Sequence, residues 1–373
     1  MKKEVPPWIA IVGLILTLTI VWVVYWHGLL GGGKMSVLPL GGGNAEKRGA
    51  GEETVQTGPA VTTVAGRPQP GYADGPALAA LFNGPSGIAV DGSGSVYVAD
   101  SRNHRIRKIA GGGVTTFAGG DTAGYADGPA SSARFASPAA VALAQDGGLF
   151  VADTGNHRIR RITSGGQVST YAGSETPKDD IGRFTGGQRD GAAALAQFCY
   201  PVGLAVDAGG AVFVADSGNH RVRRVAGGEV STLPVSGGEM GSPTELALVG
   251  ERLWVSDTGK GLLWTGPKDG PLTPWRLPAK QKGPKAPSGL VALGGAIYVA
   301  DSGSHSIYRI TDANVSPVAG HGGPPAYADG RGAGASFSFP AAIAAVPGGG
   351  LYVADFGNNC IREVKLDESE EGR

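Results

Sequence analysis

The sequence predicts an all-β fold, a six-bladed β-propeller that is closed by an N-terminal outer strand and preceded by one transmembrane helix. Three observations lead to this prediction. One sequence repeat occurs six times in the same register, each repeat has the pattern of four short strands, and a further outer strand stands ahead of the first repeat. The 65 glycines and 25 prolines fit the many tight turns of such a fold.

The repeats are aligned by a proline and an aspartate that stand 14 or 15 residues apart in every copy. An aromatic residue lies three positions before each aspartate, and an apolar residue lies six positions after it. The pairs are Pro85 and Asp100, Pro138 and Asp153, Pro201 and Asp216, Pro243 and Asp257, Pro287 and Asp301, and Pro340 and Asp355. This fixed spacing indicates a repeat architecture over residues 60–366.

Each repeat reads as four strands. In the first repeat they are an inner "GIAV", a second "VYVAD" that is apolar on both faces, an alternating "RIRKI" and an outer "VTTFAG". The sixth repeat has no outer strand of its own, whereas an unassigned "VTTVAG" begins at residue 61. We expect this segment to complete the sixth blade, because pairing the two chain ends closes the ring and removes the open sheet edge.

The N-terminal segment differs from the repeats. Residues 8–26 carry no charge and would span about 28 Å as a helix, so residues 8–30 are predicted to be a transmembrane signal-anchor helix with Trp8 and Trp26 at its two interfaces. Lys2 and Lys3 then place residues 1–7 in the cytoplasm and the propeller outside it. A cleaved signal peptide is the alternative. Residues 31–59 are expected to be a Gly-rich flexible linker, and residues 367–373 an acidic disordered tail.

Composition limits the possible functions. The chain has no formal net charge and only 17% charged residues, so no nucleic-acid partner is predicted. Its two cysteines, Cys199 and Cys360, are too few for a disulfide framework or a Cys-x-x-Cys metal site. The arginines of the "RIRKI"-type strands are interpreted as solvated strand edges. No cofactor is predicted.

The turn after the second strand reads Asp-Ser/Thr-x-Asn-His in three repeats. We interpret it as structural, because a fold requirement recurs in every blade and a functional site is usually singular. Its aspartates are expected to accept backbone N–H bonds within the corner. Its histidines cannot share a metal ion, since equivalent points on adjacent sheets lie about 10 Å apart. The predicted turn residues are Asp100, Asp153, Asp216, Asp257, Asp301, Asp355, His104, His157 and His220.

These motifs resemble those of the NHL-repeat proteins. The resemblance rests on "PSGIAVD", "VYVADS" and "NHRIR", with the Asn-His pair at residues 103–104, 156–157 and 219–220. It covers residues 60–366 and implies a six-bladed propeller. Repeats four to six depart from the pattern, with "SDTGKGLLWTG", "DSGSHSIYRI" and "DFGNNCIREV" in place of the Asn-His turn.

The links between repeats carry the longest inserts, with a "YADG" or "QRDG" motif. An Ala-rich stretch follows, which we interpret as a short turn of helix that tucks Phe82, Phe135, Phe198 or Phe339 onto the rim. One elaborated face is therefore expected, and binding tends to reside on such loops. The candidate partner-binding residues are Tyr72, Asp74, Tyr125, Asp127, Arg189, Asp190, Tyr327, Asp329, Lys280 and Lys282. Alternatively, the aspartates only cap the short helices.

No catalytic motif is found in the sequence. Glu245 alone among the inner strands offers a metal ligand, and one carboxylate is insufficient for a cation site. The predicted function is a membrane-tethered, extracytoplasmic scaffold that binds a protein or an envelope polymer through its loop-rich face. The alternative is a hydrolase or lyase with an unrecognised metal site at the central channel. A third possibility, the sensing half of a signalling pair, would need a partner.

Overall fold

The structure is a computed structural model and describes residues 57–177, 185–278 and 281–366. Their strands form six antiparallel sheets, and the inner strand of each sheet contacts the inner strands of its two neighbours, so that the sheets close a ring. The predicted all-β, six-bladed propeller is confirmed. The predicted transmembrane helix, with Trp8 and Trp26, and the acidic tail lie outside the described residues. No helix of the described part is long and apolar enough to cross a membrane.

The first two strands of each blade come from the repeat as expected. The inner strands are Pro85–Val90, Ala140–Leu143, Pro201–Val206, Pro243–Val249, Pro287–Leu293 and Pro340–Ala345. The second strands are Val96–Asp100, Leu149–Asp153, Val212–Asp216, Arg252–Asp257, Ala296–Asp301 and Leu351–Asp355.

The third and outer strands complete the blades. The third strands are Arg105–Ala110, Arg158–Ile162, Arg221–Ala226, Leu262–Pro267, Ser306–Ile310 and Cys360–Lys365. The outer strands are Gly113–Gly119, Gln167–Ala172, Glu229–Thr232, Thr273–Pro274, Val315–Ala319 and, for the sixth blade, Ala60–Gly66.

The ring closes between the two ends of the described chain. The strand Ala60–Gly66 pairs antiparallel with Cys360–Lys365, and Val61 lies opposite Val364. Both valines are almost fully buried. The prediction that the unassigned N-terminal strand completes the sixth blade is confirmed.

Four blades have a fifth strand that the sequence reading did not predict. A two-residue edge strand from the link before the repeat folds back onto the outer strand of the same blade, as Gly75–Pro76 does on Val114 and Gly113. Gly75 has φ +130°, a conformation that side chains rarely adopt, and this permits the reversal. The edge strands are Gly75–Pro76, Gly128–Pro129, Gly191–Ala192 and Gly330–Arg331.

Helical structure is limited to single 3-10 turns in the described residues. Two belong to the links and four to the turn after the second strand: Ala77–Ala79, Gly332–Gly334, Ser101–Asn103, Thr154–Asn156, Ser217–Asn219 and Phe356–Asn358.

The core lies between adjacent blades. Successive side chains of a strand point to opposite faces, and in the second strand of blade one both faces are apolar. Val98 packs in the cluster shared with blade six, while Tyr97 packs in the cluster shared with blade two. Each fully buried valine or larger apolar side chain contributes about 1.5–3 kcal/mol. The alternation therefore joins each blade to both of its neighbours.

The link phenylalanines are buried as expected in three blades. In the fourth, blade six, the prediction named Phe339, which is the wrong phenylalanine. Phe82, Phe135 and Phe198 stand 18 residues before the aspartate of their blade and are fully buried. In blade six this position belongs to Phe337, which is also fully buried. Phe339 lies two residues further on, with φ 51°, at a sharp turn between blades.

Candidate functional site

The links and the turns after the second strands lie at one end of the propeller. The first residue of an inner strand pairs with the last residue of the second strand, as Pro85 does with Asp100, so the segments before and after them are adjacent. We call this end the loop-rich face. The opposite end carries the short hairpins that join inner and second strands.

The repeated aspartates at the ends of the second strands hold the links of this face in place by hydrogen bonds. Asp100 is fully buried; its Oδ1 accepts the backbone N–H of Asn83 at 2.7 Å, and its Oδ2 accepts the side-chain amide of Asn103 at 2.8 Å. The predicted backbone bond within the corner is therefore wrong for this residue, because the N–H comes from the link 17 residues earlier. Three other aspartates accept the equivalent backbone N–H from their link: Asp153 from Ala136, Asp216 from Cys199 and Asp355 from Ser338.

In blades four and five the aspartate has different partners. Asp257 accepts the backbone N–H groups of Gly241 and Ser242, and Asp301 those of Lys285 and Ala286. These aspartates are also fully buried. All six therefore tie a link to the end of a second strand.

The turn histidines join adjacent blades. His104 has φ 57°, and its Nδ1 accepts the backbone N–H of Ser137 in the next blade at 3.0 Å. His157 accepts the N–H of Tyr200 at 2.9 Å in the same way. Burial lowers the pKa of His104, and the neighbouring Arg105 lowers it further. The neutral ring that this bond requires is thus favoured.

Blades five and six make an equivalent contact to the next blade, whereas the histidine of blade three contacts a carbonyl oxygen instead of an N–H group. His305 accepts the N–H of Phe339 at 3.2 Å, and in blade six Asn359 replaces histidine, with its Oδ1 accepting the N–H of Gly84 at 3.0 Å. In blade three, Nδ1 of His220 faces the carbonyl oxygen of Gly241. The position is therefore an inter-blade contact in five blades.

An arginine connects the buried aspartate to the "YADG" loop. The guanidinium of Arg107 donates to Asp100 at 2.7 Å and to Asp74 at 2.5 Å, and it also donates to the carbonyl oxygens of Ala73 and Leu81. Its side chain is fully buried. The interpretation of these arginines as solvated strand edges is wrong here, because the loop and the aspartate together enclose the charge.

The same bridge recurs in four blades. Each consists of a fully buried arginine of the third strand, the buried aspartate of the second strand and the loop aspartate. The bridges are Asp100–Arg107–Asp74, Asp153–Arg160–Asp127, Asp216–Arg223–Asp190 and Asp355–Arg362–Asp329. Blade four has Trp264 in place of the arginine, with its Nε1 donating to Asp257 at 3.0 Å.

The loop residues have internal partners and exposed surface. The hydroxyl of Tyr72 lies 2.9 Å from Thr116 Oγ1, and Arg105 stacks on the tyrosine ring at 3.8 Å from its centroid. Asp74 accepts the N–H of Thr116 at 3.0 Å. Burial acts to raise the pKa of Asp74, but the hydrogen bonds from Arg107 and Thr116 hold it below its ordinary value.

The alternative that Asp74 caps the short helix is wrong, because that helix has Pro76 at its N-cap and no side-chain capping bond.

The other candidate residues occupy equivalent or neighbouring places. Tyr125 and Tyr327 repeat the contact of Tyr72, with Thr170 and Thr63 respectively. Arg189, which replaces the alanine of "YADG", donates to the carbonyl oxygen of Leu195 at 2.7 Å. Lys282 is exposed in a different link, and Lys280 lies outside the described residues.

The central channel forms a cavity of about 340 Å³ lined by all six inner strands. Apart from Glu245, its lining residues have aliphatic side chains, so the polar atoms along its wall belong largely to the backbone, and Glu245 is the ionisable residue among the described lining. Burial raises the pKa of Glu245 to about 8. In the described residues, no group of three or more histidine, cysteine or acidic side chains is placed to hold a metal ion.

The model of the NHL repeat matches residues 82–109, 135–162, 198–225 and 337–363. The chain is an NHL-repeat protein. The matched NHL repeats belong to blades one, two, three and six, which are the blades that carry the arginine bridge.

Two curated relatives contain similar sequence. The protein SUPPRESSOR OF QUENCHING 1, chloroplastic, of Arabidopsis thaliana is 40% identical over 91 residues, which are 24% of this chain and 9% of that protein. NHL repeat-containing protein 2 of Homo sapiens is 27% identical over 337 residues, which are 81% of this chain and 42% of that protein. The NHL chain thus spans less than half the length of either relative.

Solved structures with the same fold have different roles. An auxiliary nutrient binding protein from Bacteroides thetaiotaomicron has a TM-score of 0.61 and 15% identity, covering 83% of this chain and 77% of that one. A gluconolactonase from Xanthomonas campestris has a TM-score of 0.57 and 14% identity, covering 86% and 99%. At these identities the similarity establishes the fold alone.

Sequence reasoning missed the bridging arginines of the NHL repeats. A signal for them exists, since the loop aspartate and the arginine stand 33 residues apart in all four bridges. Blades four and five have neither the loop aspartate nor the arginine.

Proposed function

We propose that this NHL propeller is a binding scaffold, tethered to a membrane by residues 8–30 and displayed outside the cytoplasm, that engages a protein or an envelope polymer through its loop-rich face. One observation carries the proposal: four "YADG"-type loops are each fixed to the sheet by a buried arginine. They belong to blades six, one, two and three, which are consecutive because the ring closes between blades six and one.

The fixed loops suit recognition. Binding costs free energy when loops must be ordered, and loops that are already held in place avoid much of this cost. Tyrosine is enriched among the residues that dominate protein interfaces. Tyr72, Tyr125 and Tyr327 are 44%, 41% and 42% exposed, so each offers aromatic surface although its hydroxyl is hydrogen-bonded.

The membrane tether is supported by the sequence. Residues 8–26 carry no charge, and Lys2 and Lys3 precede them. Protease added to cells whose outer envelope has been removed and whose cytoplasmic membrane is intact should degrade the propeller, whereas a cytoplasmic control protein should survive. Protection of the propeller until the cytoplasmic membrane is broken would contradict this orientation, for a periplasmic as well as for an extracellular propeller.

The binding face can be tested by site-specific photocrosslinking in the full chain. Blade three offers a matched pair of exposed positions, Leu195 in the link on the loop-rich face and Ala208 in the hairpin on the opposite face. A photoreactive residue at 195 should give a discrete crosslinked product, and the Tyr125→Ser and Tyr327→Ser variants should weaken it. Equal amounts of crosslinked product from positions 195 and 208 would refute the assignment of binding to the loop-rich face. The same conclusion would follow if the tyrosine substitutions left the product at position 195 unchanged.

A second candidate is a hydrolase or lyase that works at the central channel. Glu245 favours it, because it places a carboxyl group in the cavity. This function would require a metal ion, and one carboxylate supplies too few ligands. Metal analysis of the purified chain separates the two functions, since stoichiometric zinc or calcium would favour the enzyme.

A further inference from the structure

The loop-rich face of blades four and five differs in charge from the chain as a whole. Residues 258–262 form the turn after the second strand of blade four, and residues 275–286 form the link to blade five. Together they contain five basic residues and no aspartate or glutamate, although the whole chain has no formal net charge. The link before blade four adds one exposed carboxylate, that of Glu239. This part of the face therefore carries a net positive charge.

Main-chain contacts join the two segments into one surface. The N–H of Trp275 donates to the carbonyl oxygen of Leu263 at 2.8 Å, so the link leaves the blade beside the start of the third strand. At its other end the link returns to the turn, since a Cβ atom at Gly261 would lie 2.6 Å from the carbonyl oxygen of Lys285. The two segments thus pack against each other at the rim of blades four and five.

Exposed cations flank two exposed leucines on this surface. Leu262 and Leu277 are 37% and 44% exposed. The exposed cations of the described residues are Lys260, Arg276, Lys282 and Lys285. None of these four side chains forms an ion pair with a described residue, and Lys260 donates to the carbonyl oxygen of Glu239 at 2.7 Å rather than to its carboxylate. We call these four cations and two leucines the basic patch.

We infer that the basic patch docks on the surface of a bilayer that contains anionic phospholipid. Its cations would lie at the lipid phosphates, and its leucines would enter the interfacial layer, as the apolar side chains of basic amphipathic surfaces do. A soluble anionic polymer would match the charges but offers no apolar phase for the leucines. Each lysine or arginine near an anionic membrane surface strengthens association about fivefold, so four cations give a measurable contact.

This inference rests on the membrane tether of the proposed function and adds an orientation to it. The predicted linker of residues 31–59 would have a root-mean-square span of about 30 Å, which keeps the patch at high local concentration beside the bilayer. In the closed ring, blades four and five lie opposite blades one and two. Docking at the rim of blades four and five therefore leaves the "YADG" loops of blades one and two at the far side of the ring from the membrane.

The test compares lipid photocrosslinking from two exposed leucine positions in the full chain, reconstituted into phosphatidylcholine vesicles with or without phosphatidylglycerol. A diazirine-bearing residue replaces Leu277 or, as the control, Leu195 of blade three, which is 61% exposed. Lipid adducts should form at position 277 with phosphatidylglycerol, and their yield should fall at least about fivefold without it or in about 1 M salt. Equal yields at the two positions, or at position 277 in both kinds of vesicle, would overturn the inference.

Matched variants separate the charges from the leucines. Lys282→Glu should lower the adduct yield at position 277 at least about fivefold. Lys365→Glu changes the net charge equally at the end of the third strand of blade six and should leave the yield unchanged. Leu262→Ser should also lower the yield, and an unchanged yield would contradict insertion of the leucines. Absence of lipid adducts together with polyphosphate binding that depends on Lys282 would identify a soluble polyanion as the ligand instead.

Failure of the tether would have a different signature. An untethered chain would be washed off phosphatidylcholine vesicles in about 1 M salt, and the comparison of positions 277 and 195 is then made with the chain added to preformed vesicles. Crosslinking of a macromolecular partner at position 195 tests the binding face separately, so its failure would leave the basic patch as inferred.

Discussion

Arg107 donates to the loop residue Asp74 across 2.5 Å. The arginine is fully buried, whereas the aspartate lies at the exposed rim, and the same guanidinium also pairs with the buried Asp100 at 2.7 Å. The rings of Tyr72 and Phe82 lie 4.8 and 5.0 Å from the guanidinium carbon. The charge of Arg107 thus joins the loop to the end of the second strand, and its removal should weaken the attachment of the loop and the stability of the blade.

Arg107→Met is expected to destabilise the propeller strongly. Methionine fills most of the volume but cannot donate, so Asp100 would remain as a buried carboxylate without its cation, at a cost of about 3–5 kcal/mol. Asp74→Asn should cost about 1 kcal/mol or less, because that aspartate is partly solvated. Urea unfolding of each variant measures the difference.

Lys108→Met is the control for this comparison. Lys108 is the next residue on the same strand, is only partly buried and stacks on Tyr97 at 5.2 Å. Its replacement should change the free energy of unfolding by no more than about 1 kcal/mol. A similar loss in both methionine variants would show that the bridge itself contributes little.

The blade count and the ring closure were predictable because they depend on spacing. Strand patterns recur at a fixed distance from each proline, and the "VTTVAG" segment at residue 61 has the sequence of the outer strands. The edge strands were not predictable in this way. Two residues are too few to show periodicity, and their pairing depends on a link folding back over its own blade.

The candidate site was harder to predict because its chemistry is non-local. In "RIRKI", Arg105 and Arg107 alternate with isoleucines, which is typical of a strand with one solvated face. Arg107 is buried between Asp100 and the loop, and its loop partner Asp74 stands 33 residues earlier. Glu245 was recognised as a channel residue, but the N–H groups that orient it come from backbone geometry.

Val61→Asp tests the closure of the ring. Val61 is buried opposite Val364, so an aspartate there would place an unpaired charge in the core of blade six and should cost about 3–5 kcal/mol. Thr62→Asp is the matched control, because Thr62 is exposed on the same strand. Melting temperature reports the effect, and equal melting of the two variants would mean that this strand does not hold the sixth blade.

Acid should weaken the contacts between blades. The pKa values of His104 and His305 are lowered by burial, so the unfolded chain binds protons at these residues more readily than the folded chain. The contribution of these histidines to stability is therefore full above the ordinary histidine pKa of about 6.5 and falls as pH decreases below it. The raised pKa of Glu245 acts in the opposite direction over this range, so the histidine contribution is measured as the difference between the denaturant midpoints of the unmodified chain and a histidine variant at pH 8 and pH 5.

His104→Asn provides the specific comparison. Asparagine already occupies this position in blade six, where Asn359 has φ 53° and accepts the N–H of Gly84. The variant should keep most of the stability at pH 8 and lose less than the unmodified chain at pH 5. An unchanged slope between these pH values would exclude His104 as a source of the acid sensitivity.

Gly203→Ala should disrupt the contact between blades three and four. A Cβ atom at residue 203 would lie 2.1 Å from the carbonyl oxygen of Thr244 and 2.8 Å from Cα of Glu245, so the inner strands would have to separate. We expect a loss of about 1–3 kcal/mol, the usual cost of overpacking. Gly92→Ala is the control, because nothing lies within 4 Å of its Cβ position. Urea unfolding of both variants measures the difference, and equal free energies of unfolding would show that the two inner strands accommodate a Cβ atom at this position.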